Sequence, residues 1–143
     1  MKKLVLALFV VALVSSAKAQ INLPKGGGKA TDLLSSFIKP PAIGNIDQTI
    51  NGIVGKLIKD LALPGTQKDP LTSAIGGFLK EKQGIMGLAN TKPADYLAKF
   101  NPLQKGLFGK LKGIMGAAAF SKFLGMKPSG NGIAGNLLSN LFF

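Results

Sequence analysis

The chain has 143 residues with eighteen lysines and no arginine against six acidic side chains, a formal net charge of +12, and no cysteine, histidine or tryptophan. That composition excludes disulfide bridges, a Ser–His or Cys–His nucleophile pair, and the usual nitrogen and sulfur ligands of a transition metal. Stability has to come from apolar packing alone, and the charge favours anionic partners through long-range attraction that salt weakens.

Residues 1–19 read as a secretory signal peptide: Lys2 and Lys3 precede an apolar run from Leu4 to Val14, and Ala17-Lys18-Ala19 supplies the small-x-small pattern expected before cleavage at Gln20. The apolar run falls short of the roughly 20 residues that span a bilayer. With no cysteine at the cleavage point, the lipid-anchored form of bacterial export is not expected. Export leaves fifteen lysines against Asp32, Asp47, Asp60, Asp69, Glu81 and Asp95 in a chain long enough for one modest core.

Residues 20–30 are expected to be a flexible lead-in, and residues 31–143 a single helical domain. Within the lead-in, Gly28-Lys29 imitates a phosphate loop. The spacing fails, because Leu23 stands where that loop needs its first glycine and Ala30 where it needs a Ser or Thr. Thr31 to Ile38 predicts a short helix ended by Pro40 and Pro41, since a proline disfavours helix at the residue before it.

The clearest amphipathic pattern begins at Asn45. Ile46, Ile50, Ile53, Val54, Leu57, Ile58 and Leu61 form a broad apolar stripe, with Gln48, Asn51, Gly55, Lys56 and Lys59 opposite, and Asn45 with Gln48 makes a capping pattern. Asp69-Pro70 predicts the next start, with Leu71, Ala74, Ile75, Phe78 and Leu79 inward and an end or bend near Gln83. Ile85 to Asn90 is ambiguous. A short helix from about Pro93 to Phe100 follows, with Tyr96, Leu97 and Phe100 inward.

Asn101 to Leu124 predicts the longest helix. Asn101 can cap it, Pro102 suits the first helical position, and Gln104 can close a capping box. Leu107, Leu111, Ile114, Met115 and Ala118 share one face, while Gly106, Gly109, Gly113 and Gly116 make a smooth stripe where a second helix could approach. Gly125 to Gly130 reads as a loop, and Asn131 to Phe143 as a last helix with Ile133, Leu137, Leu138 and Leu141 inward. The terminal Phe143 also suits an outer-membrane barrel strand, yet the strict alternation of such strands is missing.

Together these segments predict an all-α fold, a small compact bundle of about five or six short amphipathic helices. Gly84-Ile85-Met86-Gly87 recurs as Gly113-Ile114-Met115-Gly116. The match hardly extends further and three copies would be expected of a repeat, so coincidence between glycine-rich helices is the better reading.

The aspartates are scattered, and Asp47, Asp69 and Asp95 suit helix starts, so no catalytic residue, metal ligand or cofactor site is expected and the protein is read as a non-enzyme. The candidate contacts for an anionic surface are Lys105, Lys110, Lys112 and Lys122. Expected partners are an anionic membrane surface or envelope polymer, or a protein. Spread-out lysines without arginine speak against nucleic acid.

Residues 106–124, which open Gly-Leu-Phe and set lysines against an apolar face, resemble secreted membrane-active cationic peptides. Two functions are therefore expected in order: a non-catalytic binding protein exported to the periplasm or outside, in keeping with a Gram-negative envelope, or a membrane-active toxin or host-defence-like protein using 101–124.

Overall fold

The computed structural model describes residues 37–143; the expected signal peptide, lead-in and Thr31 start of the first helix lie outside them, while Phe37 and Ile38 have irregular backbone. Among the described residues six helices and no strand are formed, which gives the all-α bundle its outline. They are α1 (Ile46–Asp60), α2 (Lys68–Ile85), α3 (Leu88–Thr91), α4 (Pro93–Met115), α5 (Ala117–Gly125) and α6 (Ser139–Phe142), with 3-10 turns at Gly65–Gln67 and Gly130–Gly132.

α1 is specified by its own sequence. Asn45 is extended and its side chain accepts the Gln48 N–H at 3.1 Å, filling one of the orphan donors of the first turn. Ile50, Ile53, Val54 and Leu57 are buried, with Ile46 and Ile58 half-buried beside them. At the other end Ala62 takes a positive φ of 51°. The Leu63 N–H then returns to the Ile58 carbonyl at 3.0 Å and the Ala62 N–H to Lys59 at 3.4 Å, the paired bonds of a Schellman cap.

α2 lies between α1 and α4 and packs against both. Leu71, Ala74, Ile75, Phe78 and Leu79 are buried as their spacing predicts, and the burial extends to Gly76 and Lys82 because two neighbours cover the helix. A Cβ on Gly76 would stand 3.3 Å from Ile50 Cδ1, so α1 approaches closely there. The helix begins at Lys68, after a 3-10 turn, so Asp69 sits inside the first turn instead of capping it. Its carboxylate still favours that end through the helix dipole.

The expected boundary at Asn101 does not exist. α4 runs unbroken from Pro93, at its first position, through Pro102 to Met115. Tyr96 and Phe100 are in phase with Leu107 and Leu111, so burying both sets on one face outweighs the backbone hydrogen bond that Pro102 cannot donate. Both Pro102 and Ala98, whose carbonyl loses that partner, are exposed, and water can serve the carbonyl.

The break comes fifteen residues later at Gly116, whose φ of 84° and ψ of 164° suit glycine almost alone. The apolar face of the 101–124 stretch also packs differently from expectation. Leu107, Leu111 and Met115 are buried and Ile114 half-buried, with α2 as the main neighbour, while Ala118 is exposed on α5. The glycine stripe receives no helix, since a Cβ on Gly106, Gly109, Gly113 or Gly116 would have nothing within 4 Å.

Both copies of the Gly-Ile-Met-Gly echo fall where a long helix gives way to a short one. Their backbones differ, however: Gly87 is right-handed at φ −58°, whereas Gly116 is not.

The expected helix from Asn131 to Phe143 is reduced to α6. Gly130 and Gly135, at φ 53° and 81°, turn the chain instead, as glycines in a weak helical stretch readily do. Leu138, Leu141 and Phe142 are buried, but Leu137 is 39% exposed and rests over α1, where its Cδ1 lies 2.7 Å from the position of a Cβ on Gly52. Ile133 is half-buried.

Candidate functional site

Gly116 lets the chain double back. Phe108 of α4 meets Phe120 and Phe123 of α5 edge to face at 5.9 and 5.5 Å, and Leu124 reaches the level of Asn101 and Lys105, so α5 runs antiparallel along α4. Phe142 joins from the tail, stacked on Phe123 at 5.1 Å and edge-on to Phe108 at 5.6 Å. Such aromatic pairs add about 0.5–1.5 kcal/mol each beyond their buried area, which makes this a firm floor.

Outside that floor the two helices leave an open groove of about 400 Å³, lined by Lys105, Phe108, Gly109, Lys112, Phe120 and Leu124, with Asn101 and Gln104 at one end. Lys105 and Lys112 are seven residues apart and so share one face of α4. Both are exposed.

Two of the four candidate lysines are thus brought together. Lys110 points elsewhere, into a separate groove with Pro70, Ser73, Ala74, Gly113 and Ile114, and Lys122 is exposed on α5 and lines neither groove. No acidic side chain follows Asp95, so α4 beyond its first turn, α5 and the tail carry six lysines without a carboxylate side chain to offset them. Residues 37–95, by contrast, mix seven lysines with five carboxylates.

The most perturbed group is Lys82, which periodicity alone would put inward, in phase with Leu71, Ile75 and Phe78. It is fully buried. Its Nζ donates to the Asn140 carbonyl at 2.7 Å and lies 5.5 Å from the centre of the Phe100 ring, and it forms no ion pair among the described residues. Burial lowers its pKa from 10.5 to about 7. Gln104 Nε2 donates to the carbonyls of Leu141 and Phe142 at 3.0 and 3.2 Å, so two long side chains close the C-terminal end of α6. Gln104 therefore serves the tail and not the capping box expected of it.

Tyr96 is also buried, stacked on Phe100 at 5.4 Å, with its hydroxyl unpartnered among the described residues and its pKa pushed up by burial. The surface grooves described above are lined by other residues, so Lys82 and Tyr96 stand away from any substrate that those grooves could hold. The arrangement sets two ammonium groups beside an apolar surface, which suits an anion with an apolar part.

Comparison with known protein families, curated proteins and solved structures yields no match to this chain.

Proposed function

We propose that this is an exported, non-catalytic binding protein whose partner is an anionic component of the cell envelope, lipid or polymer, held at the α4–α5 face. The observation that carries the reading is the pairing of Lys105 and Lys112 beside an apolar groove, in a stretch of chain without a single carboxylate side chain after Asp95. Attraction to such a face acts over a Debye length of about 8–10 Å at ordinary salt and weakens as salt rises.

Burial of Leu107, Leu111 and Met115 favours binding over membrane disruption, because the apolar face a pore-forming helix would insert is already committed to the core. Membrane-active helices need that face free.

The test is attachment of the intact protein to phosphatidylglycerol vesicles loaded with dye. Salt-sensitive attachment without dye release is expected, weakened by Lys105→Glu with Lys112→Glu and little changed by Lys80→Glu with Lys92→Glu, an equal charge change on exposed residues elsewhere. Dye release at low protein concentration would replace this reading with the membrane-active one. Equal loss in both double variants would reduce the face to bulk charge.

A further inference from the structure

The groove is concave, and its walls divide by chemistry. Phe108, Phe120 and Leu124 give it an apolar floor, on which Leu124 is 42% exposed. Lys105 and Lys112 stand two helical turns apart on the same side, about 10 Å along the axis. Of the other polar neighbours, the Gln104 amide is already donating to Leu141 and Phe142. The two ammonium groups are therefore the charged groups that a ligand would meet, with the Asn101 amide at one end of the groove. At about 400 Å³ the groove is open to solvent along its length, so a ligand would lie in it partly covered.

We propose that this groove seats a single alkyl chain bearing an anionic head, with the chain along Phe108, Phe120 and Leu124 and the head between Lys105 and Lys112. The proposal rests on the binding reading above and names its ligand class. Charge complementarity selects the head, because no carboxylate side chain on α5 or the tail competes for the two ammonium groups. A single chain taken up from solution can lie along the apolar side of the groove, whereas a vesicle surface would engage mainly the two exposed ammonium groups. Aromatic rings held by one another and by Phe142 keep that floor open without a ligand, so little ordering is lost on binding.

The probe is dodecanoate, titrated below its micelle concentration into the full chain and followed by NMR shifts and calorimetry. Shifts should cluster at Phe108, Gly109, Phe120 and Leu124. Binding should fall about tenfold in the Lys105→Glu, Lys112→Glu variant, and by a similar factor for dodecyltrimethylammonium, which keeps the chain and reverses the head. Leu124→Asp, at an exposed site that tolerates it, should abolish chain binding while retention on dextran sulfate persists.

Equal binding of the cationic amphiphile, or shifts centred elsewhere, would overturn the proposal. Retention on dextran sulfate or vesicles without any response to dodecanoate would overturn it and leave the broader binding reading standing. Loss of all three would sink both.

Discussion

α1 and the C-terminal tail (126–143) both send side chains into the core, yet they are held by opposite means. α1 carries its own instructions: a cap at Asn45, a stripe that fills one face, a Schellman closure at Ala62 and Leu63. The tail has one turn of α-helix and is fixed from outside, by Lys82 and Gln104 on its carbonyls and by Phe108 and Phe123 on Phe142. Local ties also help it, since Ser139 Oγ donates to Ile133 O at 2.7 Å and the Leu138 N–H to Asn136 Oδ1 at 2.9 Å. A segment of the first kind is sensitive to any change on its buried face. A segment of the second kind responds to changes made on other helices.

The largest effect belongs to α1. Ile53 and Leu57 have no exposed surface, so Ile53→Asp or Leu57→Asp would bury an unpaired carboxylate at a cost above about 4 kcal/mol. Stability of whole domains is about 5–15 kcal/mol, so either variant should lose a large share of it and melt far below the parent by circular dichroism. A cooperative melt close to that of the parent would mean that α1 is dispensable to the core, and the contrast would collapse.

The tail is tested through Lys82. Its pKa is about 7 when folded against 10.5 when free, so between those values the unfolded chain binds more protons and stability rises with pH. Below about pH 7 both states are charged and the slope vanishes. Integrated over the window, at about 1.4 kcal/mol per pKa unit, the rise is on the order of 5 kcal/mol.

Tyr96 acts oppositely at the alkaline end, because its raised pKa makes the unfolded chain lose a proton first above 10.0, and stability then declines. Denaturant unfolding should therefore show maximal stability near pH 10. In Lys82→Met the rise between pH 7 and 10 should vanish, at the expense of a hydrogen bond worth about 1 kcal/mol to Asn140. An unchanged slope in that variant would show that the buried amine does not set the pH response.

This division also governs what could be read from the residues. The start and inward face of α1 were legible because its cap and stripe are local. So were the inward faces of α2 and of the Pro93 stretch. Asn101-Pro102 imitated a helix start because local rules see the proline but not the phase that links Phe100 to Leu107 across it. The last thirteen residues carried leucines at helical spacing, but Gly130 and Gly135 turn with positive φ and Leu137 finds space over Gly52, contacts that no window of sequence contains.

At the candidate site, Lys105 and Lys112 follow from the helical period, whereas Phe120 and Leu124 join them only because Gly116 folds α5 back. The acid-free stretch after Asp95 was fully legible. Its meaning depended on that same turn, which gathers the charge beside aromatic rings.

The smallest expected effect sharpens the comparison by improving the segment that already specifies itself. Ala62 closes α1 in the left-handed region, at φ 51°, where its Cβ crowds the backbone at a cost of about 1–2 kcal/mol. Glycine removes that strain but adds freedom to the unfolded chain worth about 0.4–1 kcal/mol, so Ala62→Gly should stabilise by roughly 0.5–1 kcal/mol. Ala62 is exposed, and its N–H bond to Lys59 needs no side chain, so no packing is lost to blur the result. For a domain of this size the change corresponds to a rise of about 2–6 °C in Tm. The gain should persist at pH 6 and pH 9 alike, because no titrating group is touched, which separates it from the Lys82 effect. A lower Tm in Ala62→Gly would show that the end of α1 is fixed by its neighbours after all, as the tail is.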